Sequence, residues 1–320
     1  MSTDPLGLPA RASAASLLAI TPEYWQVRAR RSPGAATVRQ DQDALSIDTT
    51  RTTIGGLEIR SARSRRSDAP TVLFVSPLPQ SLHCYAPVWT RLSQEADLVA
   101  VDLPGFGGSE GGMDQMTFAA QSRFLEEFIA ALDLRDVHIV APDIAMPVAL
   151  HYVIHRDHRA RSILIGDGPG VLPSADGSLV RKIVGSAFWR AMVRANGART
   201  FLATATQVGY LHYQMGAAEL RDYVASYEGR IDQVVAWFAH YPDGLRSIDP
   251  HLDGLDLPVQ VFWGELDAFL GSDNARLLHK RLPRSRLNVF EDCGHFCYQD
   301  QADAFAEMVR GWLQGGFRSV

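Results

Sequence analysis

Cysteine is scarce in this chain of 320 residues, which contains only Cys84, Cys293 and Cys297. Three cysteines at irregular spacing cannot form a disulfide framework, and no pair makes a Cys-x-x-Cys motif. This scarcity argues against a small secreted fold held together by disulfides. It fits a reducing compartment, and we therefore expect a cytoplasmic protein.

Long hydrophobic runs are lacking as well. The apolar stretch near the N-terminus, from Ala14 to Ile20, is interrupted by Ser16 and is too short to span a bilayer. Asp4 precedes this stretch, and Arg11 is the only positive charge close to it, which is not the pattern of a signal peptide. We therefore expect neither a membrane-spanning helix nor a membrane partner.

Neither sign of charge dominates the sequence. Lys and Arg number 31 and Asp and Glu number 36, which leaves a formal net charge of −5. Because the two signs are interspersed, there is no basic field that would attract nucleic acid. The local cluster of Arg60, Arg63, Arg65 and Arg66 predicts a solvated turn. We expect a small-molecule substrate and no nucleic-acid partner, and we leave open whether the chain forms a homodimer.

Short apolar runs alternate with helical stretches along most of the chain. This alternation is typical of an α/β fold, in which crossover helices join parallel strands. The predicted strands are Thr71 to Val75, Leu98 to Asp102, Val137 to Ala141, Ser162 to Ile165, Val259 to Trp263 and Arg286 to Phe290. The predicted helices are Tyr85 to Gln94, Thr117 to Leu132, Ile144 to His155, Ser272 to Leu282 and Gln301 to Leu313. Before them, Leu45 to Arg60 predicts an antiparallel hairpin at the sheet edge.

The alternation breaks once, between about Gly168 and Pro250, where the pattern is helical and rich in aromatic residues. We interpret this insertion as a cap over the carboxyl ends of the strands, where open α/β folds bind ligands. The predicted organisation is an N-terminal extension over residues 1–44, a core over residues 45–168 and 250–320, and a helical cap over residues 169–249. The extension contains one plausible helix from Ser13 to Ile20, and we assign it no chemistry.

A sharp turn between a strand and a helix is predicted around Asp143. In a nucleophile elbow the central side chain lies on a strained turn, and the residues two before it and two after it are small. Here those residues are Ala141 and Ala145, where glycine is usual. The pattern therefore predicts a nucleophile elbow with an aspartate in the nucleophile position.

Four landmarks in one order resemble the α/β-hydrolase superfamily over roughly Leu45 to Leu313. They are the segment Val101 to Ser109, the elbow around Asp143, the segment Trp263 to Asp267, and Gly294-His295. The resemblance implies an α/β-hydrolase fold, a mostly parallel sheet flanked by helices, with the catalytic partners in the order nucleophile, acid, histidine.

The resemblance assigns the catalytic roles to Asp143, Asp267 and His295. Asp167 is a rival for the acid, because it follows the strand Ser162 to Ile165, where some family members carry theirs. We favour Asp267, since its Trp-Gly-Glu-Leu-Asp context matches the family landmark better.

An aspartate at the elbow restricts the chemistry. A carboxylate that attacks an ester or amide makes an anhydride, whereas one that displaces a leaving group at an sp³ carbon makes an ordinary ester. The arrangement resembles the epoxide hydrolases and haloalkane dehalogenases. It implies that Asp143 attacks the substrate carbon and that His295, oriented by Asp267, activates the water that hydrolyses the ester. The implied oxyanion donors are the backbone amides of Leu78 and Ile144.

The leaving group decides between these two activities. Many haloalkane dehalogenases carry a tryptophan directly after the nucleophile, where this chain has Ile144. Epoxide hydrolases usually protonate the departing oxygen with tyrosines of the cap, which here contains Tyr210, Tyr213, Tyr223 and Tyr227. The resemblance therefore predicts an epoxide hydrolase with Tyr210 or Tyr213 as the acid.

Trp189 of the cap is a further predicted substrate-binding residue, and neither a cofactor nor a metal is expected. A haloalkane dehalogenase is the first alternative. The second is a cofactor-independent lyase or cyclase of secondary metabolism, in which Asp143 and His295 only move protons. The third is a binding protein that has lost turnover.

Overall fold

The computed structural model describes residues 4–31, 38–39, 44–172 and 179–320. The strands in that part of the chain are β1 (Val38–Arg39), β2 (Thr50–Ile54), β3 (Leu57–Ser64), β4 (Thr71–Val75), β5 (Asp97–Val101), β6 (Val137–Pro142), β7 (Ala160–Gly166), β8 (Tyr213–Gln214), β9 (Val259–Gly264) and β10 (Ser285–Phe290).

The α-helices are α1 (Leu8–Leu18), α2 (Pro22–Arg30), α3 (Ala86–Leu92), α4 (Phe118–Ala131), α5 (Ala145–His155), α6 (Leu179–Gly185), α7 (Ala187–Val208), α8 (Ala217–Tyr227), α9 (Ile231–Ile248), α10 (Asp273–Arg281), α11 (Cys297–Asp300) and α12 (Ala302–Leu313). Short 3₁₀ turns span Leu82–Tyr85, Met113–Gln115, Asp249–Gly254 and Gly316–Arg318. No helix among the described residues is long and apolar enough to cross a membrane.

Eight strands form one sheet in the order β10-β9-β7-β6-β4-β5-β3-β2. Strands β2, β3 and β5 pair antiparallel, and the remaining neighbours pair parallel. The central strands are mostly apolar and are buried along their whole length, as expected for parallel strands covered on both faces. The predicted α/β-hydrolase fold, its strands and its edge hairpin are confirmed.

The helices pack on this sheet in pairs. Helix α3 packs against α12 and α4 packs against α5, and their apolar residues join the strands in one hydrophobic core. Helix α5 begins directly after β6, so the predicted elbow lies at the carboxyl end of a central strand. That position places Asp143 at the edge of the sheet where such folds bind their ligands.

The insertion between β7 and β9 carries helices α6 to α9 and the two-residue strand β8, which pairs with β1. Within α7, Gly197 has a φ of 75°, a left-handed conformation that glycine adopts without a steric penalty. The helix therefore bends at this residue. Helix α7 packs against α6, α8 and α9, which makes it the central helix of the insertion.

The N-terminal extension contains two helices where the sequence predicted one over Ser13 to Ile20. Helix α1 begins at Leu8 and α2 begins at Pro22, and each has proline in its first turn, where a backbone N–H has no intrahelical acceptor to lose. Helix α1 packs along α7 of the insertion. The extension is thus an integral layer over the cap.

Arg60 is buried, which shows that the solvated turn predicted for the arginine cluster was wrong at this residue. Its Nε donates to Asp102 Oδ2 at 2.6 Å, and its Nη1 donates to Asp222 Oδ1 at 2.6 Å. Asp222 lies on α8 of the insertion and also accepts from Ser81 Oγ at 2.6 Å. A buried ion-pair network therefore joins the sheet edge to the cap. Arg65 and Arg66 are exposed, as predicted.

Candidate active site

Asp143 occupies the turn between β6 and α5 with a φ of 51°, a left-handed conformation that costs a non-glycine residue free energy. The turn is held by the Asp143 amide, which donates to the Gly166 carbonyl at 2.9 Å, and by the Asp143 carbonyl, which accepts from the Met146 amide at 3.1 Å. Ala141 and Ala145 on either side are completely buried. Small residues are present there because the strand and the helix approach closely, as an elbow requires.

One carboxylate oxygen of Asp143 is held by the loop after β4. The Leu78 amide donates to Asp143 Oδ2 at 2.7 Å. Ile144 is buried and precedes α5, so the same carboxyl group lies at the N-terminal, electropositive end of that helix. The structure thus places Leu78 where the sequence predicted an oxyanion donor. Ile144, the other predicted donor, directly follows Asp143 in the elbow.

His295 lies after β10 and is buried against the other oxygen of Asp143. Its Nε2 is 3.7 Å from Asp143 Oδ1, and its Nδ1 is 2.8 Å from Asp267 Oδ2. Burial lowers the pKa of His295, but the carboxylates of Asp267 and Asp143 outweigh it, so that the pKa lies well above 6.5. The rings of Phe269 and Phe296 contact the imidazole edge-on, with centroids 4.9 and 4.7 Å away, and fix its plane.

Asp267 is the carboxylate that orients His295. Its Oδ2 meets the imidazole, while its Oδ1 accepts from the amides of Phe269 at 2.7 Å and Leu270 at 3.0 Å. The rival Asp167 is fully buried, and its Oδ1 accepts from the Gly264 amide at 3.0 Å. Burial and the nearby Asp267 raise the pKa of Asp167 well above its usual range. The structure therefore brings Asp267 to the histidine, and Asp167 instead holds the loop below it.

A largely apolar cavity opens above these side chains, between the sheet and the insertion. Its lining includes Asp143, His295, Leu78 and the predicted substrate-binding residue Trp189. From the extension and cap it is also lined by Leu17, Leu18, Ile20, Thr21, Val180, Lys182, Ile183, Met192, Val193, Asn196, Thr200, Phe201, Thr204, Ala205, Phe238 and Tyr241. Pro79, Pro169, Phe269, Leu270 and Phe296 complete it.

The family model described as alpha/beta hydrolase fold matches residues 70–301, which is most of the chain. This chain belongs to the α/β-hydrolase family. The prediction of an α/β-fold hydrolase is thereby confirmed at the level of the family. The match includes the elbow, the Asp267 loop and His295, so the site lies within the part of the hydrolase that defines the family.

Individual relatives of this hydrolase differ in their chemistry. A haloalkane dehalogenase of Bradyrhizobium diazoefficiens is 24% identical over 300 residues, covering 85% of this chain and 96% of that protein. Monoacylglycerol lipase ABHD6 of Rattus norvegicus is 22% identical over 267 residues, covering 79% and 78%. The crystal structure of haloalkane dehalogenase DbeA from Bradyrhizobium elkani has a TM-score of 0.73 at 20% identity, covering 86% and 99%. At 20% sequence identity, the similarity of the two structures shows only that they share a fold.

Tyr210 and Tyr213, the predicted acids, lie outside the cavity lining of this hydrolase. The Tyr210 hydroxyl donates to Gln299 Oε1 at 2.8 Å, and the Tyr213 hydroxyl donates to Glu219 Oε2 at 2.7 Å. The prediction therefore needs correction: both hydroxyls are engaged in a buried network away from Asp143. The tyrosine that does line the cavity is Tyr241 on α9. Burial raises the pKa of Tyr241 well above 10.0, and the nearby charge of Asp143 adds to the shift.

Gln80 is a residue that the sequence analysis missed. It follows the oxyanion loop, where its Nε2 donates to Tyr210 and Gln299 and its Oε1 accepts from Tyr298 at 2.5 Å. Its backbone carbonyl accepts from the Tyr227 hydroxyl at 2.8 Å. Tyr227 thus holds the backbone two residues after Leu78, and Tyr210 contacts the Gln80 side chain. No sequence pattern announces this role, since a lone glutamine in a loop is ordinarily solvated.

Within the described residues, no group of three or more His, Cys, Asp or Glu side chains could hold a metal ion. His151 and His155 are four residues apart on α5, the spacing of some zinc sites. The Nδ1 of His151 pairs with Ser122 Oγ at 2.8 Å, and the Nε2 of His155 pairs with the Ser247 carbonyl at 2.9 Å. Both imidazoles are therefore engaged in ordinary structural hydrogen bonds.

Proposed function

We propose that this hydrolase acts by nucleophilic displacement at an sp³ carbon, through a covalent ester on Asp143, and that its substrate is an epoxide. The observation that carries the proposal is the hydrogen bond from the Leu78 amide to Asp143 Oδ2. This hydrogen bond gives the two carboxylate oxygens different roles. Oδ2 is held in the oxyanion site, and Oδ1, on the His295 side, is the attacking atom.

This arrangement disfavours acyl transfer. A serine-type hydrolase keeps its oxyanion site open for the carbonyl oxygen of the substrate. Here that site is filled by an oxygen of Asp143 itself, so an ester carbonyl has no donor to accept from. Attack by the carboxylate would also produce an anhydride rather than a stable intermediate. One relative is named as a monoacylglycerol lipase, and we do not propose that activity for this chain.

The first step forms a bond between Asp143 Oδ1 and the substrate carbon and breaks the carbon–oxygen bond of the epoxide. The electron pair goes to the departing oxygen, which takes a proton from the Tyr241 hydroxyl. Tyr241 suits this role because it lines the cavity with Asp143 and carries a hydroxyl that can donate a proton to the departing oxygen.

The second step hydrolyses the ester. His295 Nε2 takes a proton from water, whose oxygen attacks the Cγ of Asp143. The developing oxyanion is Oδ2, which already accepts from Leu78. Collapse breaks the bond between Cγ and the former Oδ1, and this oxygen takes the second proton of the attacking water. The diol is released, and the water oxygen stays in the carboxylate. The proton on His295 then returns through solvent to Tyr241. Asp267 stabilises the imidazolium throughout, through the contact of its Oδ2 with His295 Nδ1.

Haloalkane dehalogenation is the second candidate, and the haloalkane dehalogenase among the relatives supports it. The same nucleophile, base and oxyanion donor would serve, and halide would leave without a proton. Ile144 stands where many enzymes of that kind have the halide-binding tryptophan. We favour the epoxide because the cavity offers a hydroxyl donor, Tyr241.

The test traps the intermediate. The variant His295→Gln lacks the base for the second step but keeps Asp143, so the ester should accumulate. The variant is incubated with a panel of epoxides and of chloro- and bromoalkanes, and the intact protein is weighed by mass spectrometry. A mass gain equal to a whole epoxide supports the proposal. A gain equal to the alkyl group without halide converts it to a dehalogenase.

The matched control is the double variant Asp143→Asn, His295→Gln, which should show no mass gain with any compound. Peptide mapping of the adduct should place it on the peptide that contains Asp143. If folded His295→Gln gains no mass across the whole panel, covalent catalysis by Asp143 is wrong.

A further inference from the structure

The N-terminal extension reaches the cavity that contains Asp143. Leu17, Leu18, Ile20 and Thr21, which form the end of α1 and its connection to α2, all line that cavity. Leu18 and Thr21 are also buried. These residues precede the sheet in the sequence, yet they face the same space as the nucleophile.

The two helices are fixed in this place by contacts with α7. The guanidinium of Arg31, directly after α2, donates to the Tyr210 carbonyl at 2.8 Å from its Nε and to the Thr206 carbonyl at 3.1 Å. Gln207 Nε2 donates to the Arg11 carbonyl at 3.2 Å, and Arg199 Nη1 donates to the Pro5 carbonyl at 2.9 Å. Polar contacts thus tie both helices to α7 at several points.

The extension also packs on the loop that carries Asp267. Leu18, Tyr24 and Val27 form a separate apolar cluster with Ala268, and Phe269 packs against the same cluster. Phe269 in turn contacts the ring of His295 and lines the cavity. The extension therefore packs against the loop that carries Asp267.

The cavity is long and apolar along the α1–α7 contact. Its lining residues on α7 run from Trp189 to Ala205, on both sides of the bend at Gly197. The Asp, Glu, Lys, Arg and His residues among the described residues of the lining are Asp143, Lys182 and His295. A compact polar substrate would leave most of this surface unfilled.

We propose that the end of α1 and its connection to α2 form the wall of the substrate site that selects for length, and that the substrates are elongated apolar molecules with the reactive carbon near one end. The inference rests on the proposed function in that Asp143 must lie in the cavity where substrate is turned over. Each further methylene group of the ligand that contacts this wall should raise the affinity about fourfold, because burying a methylene contributes about 0.8 kcal/mol of binding free energy. Leu17 is the residue through which this selection is tested.

The experiment measures binding apart from chemistry. Straight-chain primary alcohols from butanol to decanol are titrated into the wild-type protein and into Leu17→Trp and Leu17→Ala, and binding is followed by calorimetry. The wild type should bind longer alcohols progressively more tightly. The Leu17→Trp side chain occupies space next to the wall. It should weaken binding of the longest alcohols by at least about tenfold and leave binding of the shortest unchanged. Leu17→Ala should flatten the dependence on length.

Leu8→Trp is the matched control, since Leu8 lies on the same helix, is exposed and does not line the cavity. It should bind the whole series as the wild type does, and all variants should keep their thermal unfolding midpoint. If Leu17→Trp and Leu8→Trp bind the series alike, the extension is not part of the site. That result is independent of the ester-trapping experiment, so failure of one proposal is distinguishable from failure of the other.

Discussion

Asp143 and Leu78 are joined by a hydrogen bond of 2.7 Å from a backbone amide to Oδ2 of the nucleophile. The contact assigns the two oxygens of one carboxylate to different tasks before substrate arrives. Oδ2 is in place to receive negative charge when water attacks the ester, and preorganised donors of this kind lower the barrier without reorganisation. The predictions below follow from this arrangement and from the contacts that hold it.

Asp267→Asn should slow turnover by about 10³ to 10⁴-fold, because the amide can no longer hold His295 in the tautomer that leaves Nε2 free to accept a proton. The loss should fall on hydrolysis of the ester rather than on its formation. Rapid-quench mass spectrometry should therefore show the Asp143 adduct accumulating in this variant.

Asp167→Asn is the matched control for that substitution. Burial raises the pKa of Asp167 well above its usual range, and an amide of the same shape keeps the oxygen that accepts from the Gly264 amide. Turnover should stay within about tenfold of the wild type. If Asp167→Asn were the more damaging of the two, the acid would be Asp167 and the observed Asp267–His295 pair would be incidental.

Tyr241→Phe should distinguish the two leaving groups. An alkoxide needs a proton and a halide does not, so ester formation from an epoxide should slow by about 10²-fold or more while ester formation from a haloalkane is unchanged. The rates are measured in the His295→Gln background, where the ester persists. Tyr223→Phe removes a hydroxyl that donates to Glu219 outside the cavity and should leave both rates alone. If ester formation from epoxides were equally fast with and without Tyr241→Phe in the His295→Gln background, Tyr241 would not be the acid.

The rate of ester hydrolysis should rise with pH and then level off. His295 must be neutral to take a proton from water, and in the resting protein Asp267 and Asp143 raise its pKa well above 6.5. Forming the ester removes the charge of Asp143, so the pKa of His295 falls from its resting value and the base becomes available. Single-turnover rates across pH should give a lower apparent pKa than the resting His295 measured by NMR. A hydrolysis rate that falls as pH rises would contradict this role.

Arg60→Ala should lower the free energy of unfolding by about 3 kcal/mol, because it leaves the buried Asp102 carboxylate without its cation. The cap should loosen with it, since Arg60 also holds Asp222 of α8. Denaturant titration measures the change. Arg65→Ala, a substitution at an exposed position of the same cluster, should stay within about 0.5 kcal/mol of the wild type.

Much of the core was predictable because the central strands are short and mostly apolar runs. The elbow was also visible, because alanines flank Asp143 at the two positions where the strand and helix touch. Asp267 and His295 followed from the resemblance of the segment Trp263 to Asp267 and of Gly294-His295 to landmarks of the α/β-hydrolase superfamily. These features are local in sequence, and local patterns can report them.

The residues that were predicted wrongly depend on contacts distant in sequence. Tyr210 and Tyr241 are both cap tyrosines, and only the packing of the cap decides which one lines the cavity that contains Asp143. Arg60 is buried because it meets Asp222, which lies 162 positions further along the chain. The extension showed apolar spacing but gave no sign that Leu17 would face the cavity. Helical periodicity shows which residues share one face of a helix, but it does not show which other element that face packs against.

The most direct test of the central claim is one turnover in water enriched in ¹⁸O, with protein in excess over an epoxide that the trapping experiment has identified. Peptide mass spectrometry then measures the label. The mechanism predicts ¹⁸O in the carboxylate of Asp143 and an unlabelled oxygen in the diol at the attacked carbon. Label in the diol with none in Asp143 would show that water attacks the substrate directly, and Asp143 would then be a base rather than the nucleophile.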